Sequence, residues 1–434
     1  MSALPLTDQL LADRDDLEDD DAVDDEEDAP ASRAASCLTD LEWPLLLEAF
    51  AARTVSALGR REALALVPAA AREQAQLRQR TLGELLELAL VDARLPVGDV
   101  TDVTETLERV RRSGVASGHE LASVGRVLRV ALGLMRFGDT HREGAPTVAR
   151  VLAVEAGLGQ VSASLARAIS DDGQVLDQAS PALAEARGAV RSLRRRVQTR
   201  IQELISRYKD VLQDGYFAER DGRYVLPVRS DAEYRLDGFV LGSSASGATL
   251  YVEPKEIASL GHELRLAEVR AEREEAVVLA QLSGALSPWV DAALAAQDVC
   301  ALADLLAAIT SLAKDIEARV VPLDAEAVID LRAVRHPLLA AAGVQVIEND
   351  LRLQGGRGLV VSGPNAGGKT VLLKSLGLMA LMQATGLPLP VAPGTRVGFF
   401  TRVLADIGDD QSLSRSLSTF SGHVERVCAF LSAA

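Results

Sequence analysis

Residues Leu359–Thr370 read Leu-Val-Val-Ser-Gly-Pro-Asn-Ala-Gly-Gly-Lys-Thr, and no other stretch limits the fold as tightly. The apolar start, Leu359–Val361, has the composition of a buried parallel strand, and Val371–Ala384 continues as an amphipathic helix. Between them, Gly363, four spacer residues and Gly368-Lys369-Thr370 match the phosphate-cradling loop that joins a strand to a helix. The residue types follow from the chemistry. Glycines keep side chains off the backbone, so that N–H groups along the loop can point at phosphate oxygens. The helix N-terminus adds the positive end of a dipole. Gly363, Pro364, Asn365, Ala366, Gly367, Gly368, Lys369 and Thr370 are therefore the candidate nucleotide site. Lys369 is placed to reach the β- and γ-phosphates of ATP, and the Thr370 hydroxyl to ligate Mg2+. The bland alternative is an ordinary glycine-rich turn, against which both flanks speak.

A chain of 434 residues has room for two to four domains of usual size. Aromatic residues are only 3% while Ala, Leu, Val and Arg abound, which favours helix. The net charge of −16 is hostile to nucleic acid until its distribution is read. Residues 1–36 hold 13 acids against 2 arginines, so the remainder carries only about −5 and leaves room for basic faces. That N-terminal segment cannot bury enough apolar surface to offset its ordering entropy, and reads as a disordered acidic tail. It serves as a solubilising tail or as a partner-binding, DNA-mimicking one. Cys37, Cys300 and Cys428 lie far apart, which fits neither a disulfide framework nor a zinc site. No apolar run reaches the length of a membrane span and the N-terminus is the opposite of a signal peptide, so a cytoplasmic location is expected.

The pattern from Leu38 to about Arg187 is helical, with turn clusters at Leu95–Gly98, Ser113–Gly118 and Phe137–Asp139. A longer helix is expected over 181–212, its seam formed by Val190, Leu193, Val197, Ile201, Leu204 and Tyr208. Arg191, Arg194, Arg195, Arg196 and Arg200 crowd its other faces. They form either a solvated face or a set of phosphate contacts. Short strands are expected at Arg223–Arg229, Gly238–Gly242 and Ala248–Glu253, followed by a second long helix over Lys255–Leu286. Long helix, small β element, long helix describes an antiparallel arm with a β-containing tip. After another helical stretch, Ser287–Ile316, strands are expected at Glu317–Val321, Val344–Leu353 and Val397–Ile407.

Several ordered motifs now resemble one family. Arg335-His-Pro-Leu-Leu, the loop at Gly363–Thr370, Asp406-Ile-Gly-Asp-Asp-Gln-Ser and Leu417-Ser-Thr-Phe-Ser-Gly-His423 are similar to the ATPase of MutS proteins. Arg223-Tyr-Val-Leu-Pro-Val and Ser246-Gly-Ala-Thr-Leu-Tyr-Val-Glu-Pro254 narrow the likeness to the second bacterial MutS subfamily, MutS-two.

The resemblance implies a mixed, mainly α fold: a helical core and lever, a long antiparallel helical clamp arm, and a truncated α/β ABC-type P-loop ATPase domain. In residues, it implies an acidic tail at 1–36, a core and lever at 37–180, a clamp arm at 181–286, a lever return at 287–316 and an incomplete ATPase domain at 317–434. It implies a homodimer in which Ser418 and Thr419 of one subunit face the γ-phosphate held by the other. His336 falls near the nucleotide base by analogy, or is a buried or capping histidine. The implied function is ATP-dependent binding of branched, mismatched or junction DNA with suppression of recombination, or rescue of collided ribosomes. A structural coiled-coil ATPase is a third reading, but such proteins place the loop ahead of the coiled coil, whereas here it follows about 360 residues. A nucleotide-binding scaffold without nucleic acid is a fourth, suggested by the acidic charge. The family continues past the signature with a Walker B strand and a Smr nuclease domain, so poor ATP turnover is expected of these residues by themselves.

Overall fold

The computed structural model describes residues 37–364, 367–407 and 428. Helices come first: α1 (Trp43–Ala51), α2 (Ala57–Leu64), α3 (Arg72–Leu90), α4 (Thr104–Arg111), α5 (Gly118–Thr140), α6 (Pro146–Val151), α7 (Leu158–Ala168) and the long α8 (Pro181–Arg207). Strands β1 (Ala218–Arg220), β2 (Arg223–Arg229), β3 (Gly238–Ser243) and β4 (Thr249–Pro254) then lead into α9 (Lys255–Leu286) and α10 (Val290–Asp315). The last described elements are β5 (Leu323–Asp324), β6 (Val328–Val334), α11 (Pro337–Ala341), β7 (Asn349–Gln354), α12 (Lys369–Thr385) and β8 (Arg396–Gly398). The fold is thus mixed, mainly helical, with small sheets. It divides into two compact units, one holding the described parts of Met1–Val103, Arg126–Leu158 and Asp291–Ala434, the other Thr104–Gly125 and Gly159–Val290.

In the first unit, α1 buries Trp43, Leu46, Leu47 and Phe50, a stripe at the spacing of one helix face. Ser56 caps α2, its Oγ accepting from the Gly59 N–H at 3.0 Å. The buried Asp304 carboxylate accepts from the Val55 and Ser56 N–H groups and the Ser56 hydroxyl at 2.7 to 3.1 Å, so its charge is fully answered. A Cβ at Gly59 would stand 2.2 Å from Asp304 Oδ2, which explains the glycine. Helix α10 is apolar on nearly every side and buried accordingly. The expectation about apolar runs is corrected here: the helical stretch Lys255–Asp315 contains a window of mean hydropathy 1.7, long and apolar enough to cross a membrane. Of that window 72% is buried inside the protein, as in a core helix. Alanines raise its hydropathy without forming an obvious block of larger apolar residues.

The sheet of this unit runs β5-β8-β6-β7, with β5 parallel to β8 and the other pairs antiparallel. The fully buried Gln383 ties α12 to its surroundings. Its Nε2 donates to the Val321 and Val397 carbonyls at 2.9 and 3.1 Å, and its Oε1 accepts from Gln79 at 3.2 Å. Four strand expectations change. Leu359–Val361 is irregular, with Val360 92% exposed, because no strand among the described residues pairs with it. Glu317–Val321 makes only an isolated bridge, Arg319 with Leu389. The expected 344–353 strand begins at Asn349, and the expected 397–407 strand ends at Gly398. Strand β6 was not expected from the pattern, since a register shift between Leu331 and Val334 and a positive φ at Ala333 break its alternation.

In the second unit, α8 and α9 pack antiparallel. Ile257, Leu264, Ala271 and Val278 recur every seven residues on the buried face of α9, opposite Val197, Ile201 and Leu204 of α8. Strands β1-β2-β4-β3 form an antiparallel sheet at their joined end. Leu226, Val228 and Val252 of that sheet share one core with Ile201, Leu204, Ile257 and Leu264.

Candidate functional site

Helix α12 opens directly on the glycine-rich loop. Gly368 precedes it at φ +77°, a left-handed backbone that favours glycine, and among the described residues a Cβ there would meet open space. Gly367 donates to the Pro364 carbonyl at 3.0 Å and closes the turn. Lys369, the first residue of α12, folds back, and its Nζ donates to the Gly363 and Pro364 carbonyls at 2.5 and 2.9 Å. An ammonium that among the described residues bonds two neutral carbonyls of a glycine loop fits a phosphate group, because an anionic acceptor makes the stronger, charge-assisted bond. Thr370 is exposed in the first turn of α12. Among the described residues no three His, Cys, Asp or Glu side chains converge on a metal position. Asn365, Ala366, Ser418 and Thr419 lie outside the described residues.

His336 immediately precedes α11 and is 3% exposed. Its Nε2 is 3.7 Å from Glu42 Oε2, and its Nδ1 is buried with no hydrogen-bond partner among the described residues. Burial pushes the imidazole below its ordinary value, against the pull of Glu42. It is therefore neutral near pH 7. The structure places it in the interior beside Glu42, not on an open surface.

The arginines of α8 meet carboxylates. Arg191 pairs with Asp177 at 2.9 Å, Arg194 with Glu268 at 2.7 Å and Arg196 with Glu263 at 3.9 Å. Arg200 pairs with Glu203 at 2.6 Å and also with Glu256, which takes Arg207 at 3.2 Å as well. Hydrogen bonds from Arg187 and Arg191 hold the Asp177 carboxyl below the usual carboxylate range. Only Arg195, of the five arginines singled out from sequence, makes no carboxylate pair among the described residues; its Nε donates to the Arg191 carbonyl at 3.4 Å. Arg195, Arg196, Thr199 and Arg200 line a shallow open hollow with Leu260. The sequence reading overlooked the acids facing them. The seven-residue spacings of Glu256 to Glu263 and Glu268 to Glu275 on α9 were the available signal, since such positions flank a helix–helix seam. At the β end, residues 214–255 hold 7 acids and 5 bases. There Arg223 pairs with Glu253, Arg229 with Asp231 and Lys255 with Asp237, while Arg220 lies 3.4 Å over the Tyr251 ring.

A family model described as MutS domain V matches residues 359–434. Curated proteins named endonuclease MutS2 align along nearly the whole chain. That of Symbiobacterium thermophilum is 34% identical over 91% of this chain and 50% of its own length. That of Anaeromyxobacter sp. is 37% identical over 91% and 51%, and that of Synechocystis sp. 34% identical over 92% and 50%. The chain belongs to the MutS2 branch of the MutS family. It spans about half the length of the curated MutS2 relatives it matches. The loop and α12 fall within the residues that match MutS domain V, whereas the α8–α9 pair lies outside them and inside the longer alignments to MutS2.

Proposed function

We propose that this MutS2 chain is the nucleotide-binding part of an ATP-gated nucleic-acid clamp acting in the cytoplasm. ATP with Mg2+ binds at Gly363–Thr370, with Lys369 leaving its two loop carbonyls for the β- and γ-phosphates and the Thr370 hydroxyl facing the ion. Magnesium supplies charge neutralisation between the phosphates when bound. A second copy contributes Ser418 and Thr419 to the same phosphates, so the working unit is a homodimer. Residues 37–180 and 287–316 act as core and lever, 181–286 as the clamp arm and 317–434 as the ATPase part. The ligand is branched, mismatched or junction DNA, and the outcome is suppression of recombination. The observation that carries this reading is the placement of Lys369 at the start of α12, folded back onto the Gly363 and Pro364 carbonyls of the glycine-rich loop. The relatives' name, an endonuclease, points to the same ligand class. Equilibrium binding of MgATP by the chain and by Lys369→Ala tests the nucleotide site; equal affinity would show the phosphate assignment to be wrong.

A second reading keeps the same ATPase with a ribosome as partner. The arm's arginines are largely committed to carboxylates, which counts equally against phosphate contacts to DNA and to ribosomal RNA at that face. A four-way junction and a linear duplex, titrated at several salt concentrations beside purified ribosomes, separate the two.

A further inference from the structure

Two adjacent residues near the start of the described chain hold the helix that begins at the loop. Leu41 is buried over Gly377, where a Cβ would stand 2.3 Å from Leu41 Cδ2. The Lys374 ammonium donates to Glu42 Oε1 at 2.6 Å. Lys374 and Gly377 are three residues apart on α12 and share one face, so Leu41 and Glu42 together occupy that face. A glycine inside a helix costs roughly 1 kcal/mol relative to alanine; the close approach of Leu41 accounts for this one.

Glu42 has further features of a mechanical joint. Its backbone is left-handed, at φ 62° and ψ 23°, which a residue with a side chain occupies at a cost. Its carbonyl accepts the N–H groups of Leu45 and Leu46 and so starts α1. Its other carboxylate oxygen faces the neutral His336, which leaves the charge of Glu42 to Lys374. The Lys374 and Glu42 side chains remain 24% and 29% exposed, so this pair can be broken and remade, unlike the sealed contacts of Gln383 at the far end of α12.

We propose that Glu42 is a positioning residue for α12, coupling nucleotide occupancy of the loop to the packing at the start of α1. The inference rests on the nucleotide reading above. Lys374 stands about 7.5 Å along the helix axis from Lys369, at 1.5 Å per residue. Lys369 must abandon the Gly363 and Pro364 carbonyls to meet a phosphate, which re-seats the first turn of α12. Gln383 fixes the other end, so the adjustment falls on the Lys374–Glu42 pair and passes through Glu42 to Leu45 and Leu46.

The test follows amide hydrogen exchange of residues 43–51 with and without MgATP in the full chain, in Glu42→Gln and in Lys374→Met, with MgATP affinity measured alongside. In the parent, MgATP is expected to change exchange across 43–51 by about threefold or more. Both variants should bind MgATP within about threefold of the parent, yet show no response at 43–51. Glu42→Asn, which tolerates the left-handed backbone but lacks the reach to Lys374, should lose the response equally and so separates the ion pair from backbone strain. A response that survives in all three variants overturns the coupling and leaves the nucleotide site standing. A parent chain that binds no MgATP overturns the nucleotide reading, and the coupling with it.

Discussion

The helix pair α8–α9 and the loop before α12 offer cations in opposite ways. Helix α8 presents a row of arginines, and nearly every one of those singled out meets a carboxylate across or beside the seam. The loop presents one lysine, and among the described residues its partners are two neutral carbonyls. An incoming anion gains little from an arginine whose charge is already answered, because the resident carboxylate must first be displaced. It gains much from an ammonium that exchanges carbonyl oxygens for phosphate oxygens. Availability, rather than the number of basic residues, separates a binding site from a charged surface.

The largest expected effect tests the loop side of this contrast. Lys369→Ala should weaken MgATP binding by about 10- to 100-fold, the worth of one or two charge-assisted hydrogen bonds. Isothermal titration reads it directly. A loss below about twofold would put the lysine on the same footing as the paired arginines and break the contrast.

The helix side is tested by releasing its arginines. Glu256→Gln with Glu268→Gln removes the partners of Arg194 and Arg207 and one of the two partners of Arg200. If the pair carries nucleic-acid contacts, junction affinity at low salt should rise by about 3- to 10-fold, and the log–log salt slope should steepen by about 1 to 2. In the parent, Arg195→Ala should flatten that slope by about 0.9, since Arg195 is the one of the five singled-out arginines with no carboxylate pair among the described residues. An affinity indifferent to all three substitutions would remove the helix pair from nucleic-acid binding altogether.

What the sequence disclosed follows the range of the forces involved. The α8 seam was legible because apolar spacing is local: Val197, Ile201 and Leu204 stand where the pattern put them. Strands β2, β3 and β4 were legible from short apolar runs set off by the turn at Ser244–Gly247. Helix α12 was legible because its residues are contiguous. Other features depend on partners far along the chain. Ala116 donates to Ser283 Oγ at 3.0 Å, which helps to bring Thr104–Gly125 into the unit of the long helices. The pairing of Arg194 with Glu268 depends on the register of two helices joined through a sheet. Leu359–Val361 reads as a strand by composition, yet strand structure requires a neighbouring ladder, which the described residues do not provide. The contacts of Glu42 with Lys374 and His336 join segments some 300 residues apart, and no local pattern marks them.

The smallest expected effect concerns a charge left without a good answer. Asp298 lies half-buried on α10, and burial, with the nearby Glu62 carboxylate adding to it, pushes its carboxyl up to about 6, despite the opposing Arg61. Burial also raises the Glu62 carboxyl, against the pull of Arg61. A carboxyl that binds its proton more tightly in the folded chain lowers stability as pH rises from the unfolded value near 4 through the folded value near 6. The penalty is complete above pH 6 and absent below about pH 4. Asp298→Asn should therefore raise stability at pH 7 to 8, and the gain should fade as the pH falls toward 4. Half-exposure screens the charge, so the gain is on the order of 1 kcal/mol, seen as a melting temperature higher by about 1–3 °C. Thermal denaturation of both chains across pH 4–8 reads it. A gain that persists undiminished at pH 4 would trace the effect to packing rather than charge, and would count against burial as what raises the Asp298 carboxyl. A gain confined to neutral pH would extend the rule drawn from Lys369 and the α8 arginines to the acids of the core: what surrounds a charge decides what it does.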